Sequence, residues 1–315
     1  MDLGERIDAS AVITSDGRAI VATRSGSVVA LAVADGEERG RTRLGAGVWA
    51  SPALVGGVLV VASKDRKVTG LHASTLEPVW SFDAPSPSFS GITVVGGVAY
   101  LVSGTDLLAI DGLTGELKWR RSMGAASFTA PVFDEERRQL IVGTRAGQVQ
   151  AYGMDGKLHW ESLTAISAHN DGSPAIGDRR VMIGSNANGL FAFDLENGEL
   201  LWKVGTMNWV VSTPAYADGT AYFGDDGGRL RAVASADGAS RWQSLVGDDL
   251  ASSPTLVGDL LVHGAHDGKL HAWNPETGEA RPPIDAGAAM YASPAVNDDG
   301  TIVIGTHSGR VVAVH

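Results

Sequence analysis

The chain has 315 residues, 44% hydrophobic and 19% charged, with a formal charge of −11 and 41 glycines. That acidity excludes the basic stripe with which a duplex nucleic-acid binder displaces counterions, and it excludes adhesion to an anionic membrane. The sequence has no run of 18 apolar residues to span a bilayer, no basic-then-apolar leader in Met1 to Ser10, and no cysteine for disulfides, thiolate metal sites or thiol nucleophiles.

In chain order, the first unit opens at Ser10-Ala11, the second at Ser51-Pro52-Ala53 and the third at Ser90-Gly91. Later copies are Ala130-Pro131-Val132, Ser173-Pro174-Ala175, Thr213-Pro214-Ala215, Ser253-Pro254-Thr255 and Ser293-Pro294-Ala295. The second residue of each falls at 11, 52, 91, 131, 174, 214, 254 and 294, a spacing of 39 to 43 residues. A fixed period of this length is the signature of a repeat architecture.

The sixth unit shows the content of one period. A short strand is expected over Ser212 to Tyr216, then a turn at Asp218-Gly219, a strand over Thr220 to Gly224 and a turn at Asp225 to Gly228. Strands over Arg229 to Val233 and Ser240 to Leu245, joined through Ala236-Asp237-Gly238, complete it. Asp-Gly and Gly-Gly breaks supply the positive φ that tight hairpins need. Four antiparallel strands per unit of about 40 residues predict a blade, and eight blades predict one all-β, eight-bladed β-propeller over 1–315.

The eighth unit supplies strands at Thr301 to Gly305 and Arg310 to Val314 and stops before its turn and tryptophan. Residues 1 to about 9 are therefore expected beside Arg310 to Val314, closing the eighth blade. The third-strand edge left uncovered is an aggregation liability, which favours Met1 as a start inside a longer natural protein with a removed leader or anchor.

The passage from third to fourth strand repeats as Ala109-Ile110-Asp111 through Gly115 to Trp119, and as Ala192-Phe193-Asp194 through Gly198 to Trp202. Looser copies end at Trp80, Trp160 and Trp242, and Ala272 to Glu279 keeps the turn without the final tryptophan. This resembles the tryptophan-docking motif of pyrroloquinoline-quinone (PQQ)-like repeat propellers across essentially the whole chain, closest in look to the eight-bladed BamB type. Each indole is then expected to cement one blade to the next. The resemblance implies a scaffold or binding ring in an extracytoplasmic, periplasmic setting if the natural chain carries a leader, and a cytoplasmic one otherwise. The large quinoprotein dehydrogenases of this class use an adjacent cysteine pair that this sequence lacks, so PQQ is not expected and no cofactor or metal is predicted.

One face of such a ring carries the second-to-third loops and the blade-to-blade loops. At one register of that face stand Arg24, Lys64, Thr105, Arg145, Asn186, Asp226, His266 and His307. At a second register stand Trp49, Ser88, Phe128, Asp171, Val211, Ala251 and Tyr291, with Phe89 and Trp209 close by. The longest unit adds the loop Ile166 to Gly172, whose His169, Asn170 and Asp171 could ligate or simply turn. Aromatics mixed with Arg and His at a mouth suit a protein or peptide partner, or a small ligand. The binding residues predicted are Trp49, Phe128, His169, Asp171, Trp209, Tyr291, Arg24, Arg145, His266 and His307, in a monomeric, non-catalytic ring. No catalytic residue is assigned, since no Gly-x-Ser-x-Gly elbow, phosphate loop or His-Glu-x-x-His is present. Two other readings stay open: an enzyme (quinoprotein-like, or a lyase using His169), and the sensor domain of a larger membrane protein.

Overall fold

The computed structural model describes every residue except Ser167 and Ala251. Seven four-stranded antiparallel sheets and one three-stranded sheet follow one another along the chain, each with its strands in sequence order. The sixth blade is typical, with strands Ala215–Ala217, Thr220–Gly224, Arg229–Ala234 and Ser240–Leu245. Its first strand starts later than the sequence pattern suggests. Pro214 has no N–H to give a ladder, and the residues before it are used between blades instead.

Those residues explain the repeated Ser/Thr-Pro signal. The N–H of Ser10 donates to the Ser51 hydroxyl at 3.0 Å, and the N–H of Ala130 to that of Ser173 at 2.8 Å. The series continues from Ser173 to Thr213, Thr213 to Ser253 and Ser253 to Ser293. Ser293 then donates to Ser10 across the ring closure at 3.1 Å. Six seams are thus linked in the same rotational sense. The seam from the second to the third blade lacks the link, because the Ser90 hydroxyl accepts from Val102 instead. The next seam lacks it because Ala130 has no hydroxyl.

The core is divided into eight clusters, one between each pair of neighbouring blades. Second and third strands are buried on both faces, so they read as unbroken apolar runs such as Val58–Ala62. Fourth strands lie on the outside and alternate exposed with half-buried residues, as in Glu38–Arg43.

Five seams carry an indole. Trp80, Trp119, Trp160, Trp202 and Trp242 each donate Nε1–H to a carbonyl of the next blade, at 2.7 to 3.2 Å. Each ring lies over a turn glycine: a Cβ on Gly115 would come within 2.5 Å of Trp80. The motif's Ala is explained as well, because Ala109, Ala151, Ala192 and Ala232 sit opposite the tryptophan across the strand pair, beside a recurrent bulge.

The seam between the first two blades reverses this arrangement. Gly40 stands at the tryptophan register, and Leu76 stands where the other turns have glycine. Leu76 is almost fully buried, adopts φ of 61°, and brings Cδ1 within 3.8 Å of the position a Gly40 Cβ would take. The leucine fills the space that an indole fills elsewhere.

At the eighth blade, Asp2 pairs with Arg310, the N–H of Leu3 donates to the Gly309 carbonyl at 2.8 Å, and the N–H of Ile7 donates to that of Thr306. The N-terminal segment therefore lies beside the final strand. The cluster there contains only three fully buried residues, Val21, Val29 and Leu31, beside a groove of about 280 Å³. Among the described residues no helix is long and apolar enough to cross a membrane.

Candidate functional site

The channel mouth is assembled by one repeated backbone contact. The N–H of the second-to-third loop residue donates to the carbonyl of the residue five places before the second residue of the blade's opening repeat signal (11, 52, 131 and so on). This joins Arg24 to Arg6, Lys64 to Gly47, Arg145 to Ala126 and Asn186 to His169. It also joins Asp226 to Trp209, His266 to Asp249 and His307 to Ala289. Identical clamping with different side chains places varied chemistry at equivalent points of one rim.

From the first blade onward, Asp8 pairs with Arg24 and with Arg6. The Arg24 guanidinium lies 3.9 Å from the centre of the Trp49 ring, and the Lys64 ammonium 4.3 Å from it. Trp49 tilts against Phe89 and Phe89 against Phe128. Arg145 covers Phe128 and pairs with Asp171 at 3.1 Å, while a second nitrogen lies 3.0 Å from His169 Nδ1. His169 also accepts the Asn186 backbone bond and is held by the Asn186 side chain at 2.6 Å. The long loop thus positions His169 and Asp171 around Arg145. Its Asn170 is fully buried, bonded to Thr164 and to the Gln148 carbonyl, and is a structural residue.

On the far side, Trp209 is 54% exposed beside a cleft of about 190 Å³ that also meets Asn188, Met207, Asn208 and Asp226. Asp226 stands next to Asp249. Burial, with repulsion from Asp249 and Asp225, pushes Asp226 up to about 6. Burial raises Asp249 too, against the pull of His266 3.3 Å away. Tyr291 packs on His266 and stacks on His307, with centroids 4.3 and 4.5 Å apart. Burial, followed by Arg6, lowers His307, whose Nε2 is 3.2 Å from Asp8 and so returns the circuit to its start.

All ten predicted residues lie on this rim. Ser88 does not: it is buried and donates to the Val102 carbonyl at 2.6 Å. Ala251, and Ser167 in the long loop, lie outside the described residues. The sequence reading missed Asp8, Arg6 and Asp249. Asp8 holds the same register as Trp49 and Tyr291, and Arg6 and Asp249 hold that of Trp209 and His169, so counting every register through all eight units would have found them. It also missed Trp273, which is fully buried and donates to the Ser244 hydroxyl at 3.1 Å rather than docking in the usual way.

Eight antiparallel repeats, seven of them four-stranded and five of their seams carrying a docked indole, define a PQQ-like repeat propeller. The family model described as outer membrane protein assembly factor BamB matches residues 1–133, 88–204 and 145–315. The chain belongs to that family. The outer membrane protein assembly factor BamB of Bordetella pertussis is 25% identical over 314 residues, covering 97% of this chain and 72% of that protein. Among solved structures, BamB from Moraxella catarrhalis superposes with a TM-score of 0.85 at 18% identity, over 99% of this chain and 95% of that one. Quinohemoprotein alcohol dehydrogenase from Comamonas testosteroni reaches a TM-score of 0.83 at 15% identity, over 97% of this chain and 71% of that one. Both structural likenesses concern the fold.

Proposed function

We propose that this chain is a non-catalytic, monomeric scaffold for outer-membrane protein assembly, outside the cytoplasm, that engages a partner protein through the channel mouth. The observation that carries the reading is the succession of Arg, Asp, His and aromatic side chains around one mouth. The opposite face is built mainly from glycine turns such as Gly56-Gly57, Gly96-Gly97 and Asp218-Gly219. Trp209, Tyr291 and Phe128 are 54%, 40% and 36% exposed, and interface energy concentrates in such residues. The family's name supports the process, and the charge of −11 supports a protein rather than a nucleic-acid partner. Nothing in this reading calls for a quinone or a metal.

The test is capture from a membrane extract of the source cell, with the bound proteins identified by mass spectrometry. The wild-type ring should retain a component of the outer-membrane assembly machinery. Trp49→Ala combined with Tyr291→Ala should lose it while keeping the native melting temperature. Undiminished capture by the folded double variant would move the site off this face.

A further inference from the structure

The mouth is polar across its diameter. Trp49, Phe89 and Phe128 enter the second, third and fourth blades and form one tilted stack, with centroids 4.9 and 5.2 Å apart. Arg24, Lys64 and Arg145 lie 3.9 to 4.5 Å from the ring centres of that stack. Opposite, the sixth and seventh blades present Asp226, Asp248 and Asp249, none of which has an Arg or Lys ion-pair partner among the described residues. Arg231, on the sixth blade, is held by the buried Asp225 at 2.8 Å. Asp226 Oδ1, Asp249 Oδ1 and His266 Nε2 are buried without a hydrogen-bond partner among the described residues.

Building on the scaffold reading, we propose that the mouth binds one extended peptide segment in a fixed polarity, its acidic and aromatic end over the second to fourth blades and its basic end over the sixth and seventh. Arg24 and Arg145 are held through Nε by Asp8 and Asp171 and keep terminal N–H groups for a further carboxylate. Lys64 has no ion-pair partner among the described residues, and the rings beside these cations offer stacking area to a further aromatic side chain. The carboxylates of Asp226, Asp248 and Asp249 have no Arg or Lys partner among the described residues, and a Lys or Arg from the segment supplies one. That charge also offsets the burial and the neighbouring carboxylates that together push Asp226 up to about 6. The reversed orientation brings carboxylates onto Asp226 and Asp249 and ammonium groups onto Lys64. Like charges then meet at both ends, which is how an interface rejects a wrong register.

Two labelled ten-residue peptides of one composition serve as probes. The first reads Asp-Phe-Glu-Phe-Gly-Ser-Gly-Lys-Ser-Lys, and the second is the shuffled Lys-Phe-Asp-Gly-Phe-Ser-Lys-Glu-Gly-Ser. A photo-reactive phenylalanine replaces the first Phe of each. The ordered peptide should bind at least ten-fold more tightly than the shuffled one and cross-link to the second to fourth blades. Lys64→Glu and Asp226→Lys should each weaken it ten-fold or more. Equal binding of both peptides, or cross-links on the sixth and seventh blades, would overturn the polarity. So would failure of both peptides to bind while the Trp49→Ala, Tyr291→Ala ring still loses its natural partner, and in that case the scaffold reading stands. Undiminished partner capture by that double variant sinks the scaffold reading, and the polarity with it.

Discussion

Exchanging the inverted pair at the first seam tests whether indole and leucine are alternative fillings of one space. Leu76→Gly removes a nearly fully buried side chain, a loss of about 3–4 kcal/mol for a leucine truncated in a rigid core. It also releases a left-handed residue at φ 61°, which returns about 1–2 kcal/mol, so the net loss is about 2 kcal/mol. Gly40→Trp alone drives an indole into Leu76, at an overpacking cost of about 1–3 kcal/mol. The double variant recreates the arrangement of Trp80 over Gly115 and should lie within about 1 kcal/mol of the wild type, a coupling near 3 kcal/mol. Urea denaturation of the four proteins closes the cycle. Single-variant losses that add to within about 0.5 kcal/mol would show that the two sites do not share one space, and the reasoning fails.

Trp160 is the most buried of the five docked indoles, so Trp160→Ala should cost about 4 kcal/mol, and half-buried Trp119→Ala about 3 kcal/mol; a melting temperature unchanged in either would show that the seams do not depend on these rings. His263 is fully buried, and burial pushes it down to about 4, below its unfolded value of about 6.5, so the folded protein binds fewer protons across that interval. Stability should fall as pH drops from about 6.5 to about 4, by about 3 kcal/mol in all. His263→Phe, which copies Phe223 at the same register of the sixth blade, should abolish that share of the acid loss. Identical pH–stability curves for the two proteins would assign the loss to other groups.

The period, the blade and the docked tryptophans were legible in the sequence because each rests on a local pattern: a Pro after a hydroxyl, a glycine turn, an indole four residues beyond it. The exchange at Gly40 and Leu76 was not legible. It couples two residues in different blades, and neither matches the pattern that its sister positions keep. At the mouth, the registers led to Arg24, Trp49 and Tyr291, but not to the ion pairs that join them. Asp249 gains its meaning from Asp226 and His266, on loops of two different blades, and no spacing along the chain discloses that contact.

The missing hydroxyl links fall at the second-to-third and third-to-fourth seams, and over those same seams Trp49 meets Phe89 and Phe89 meets Phe128. At the mouth end of these seams the hydroxyl link gives way to ring-on-ring contact, which tolerates tilt and sliding where a 3.0 Å hydrogen bond does not. The indoles of Trp80 and Trp119 still bond across them further out. The aromatic arc is therefore a joint as well as a surface. A side chain inserted among those rings meets the two seams that carry no hydroxyl link, whereas the closure at Ser293 and Ser10 keeps its own.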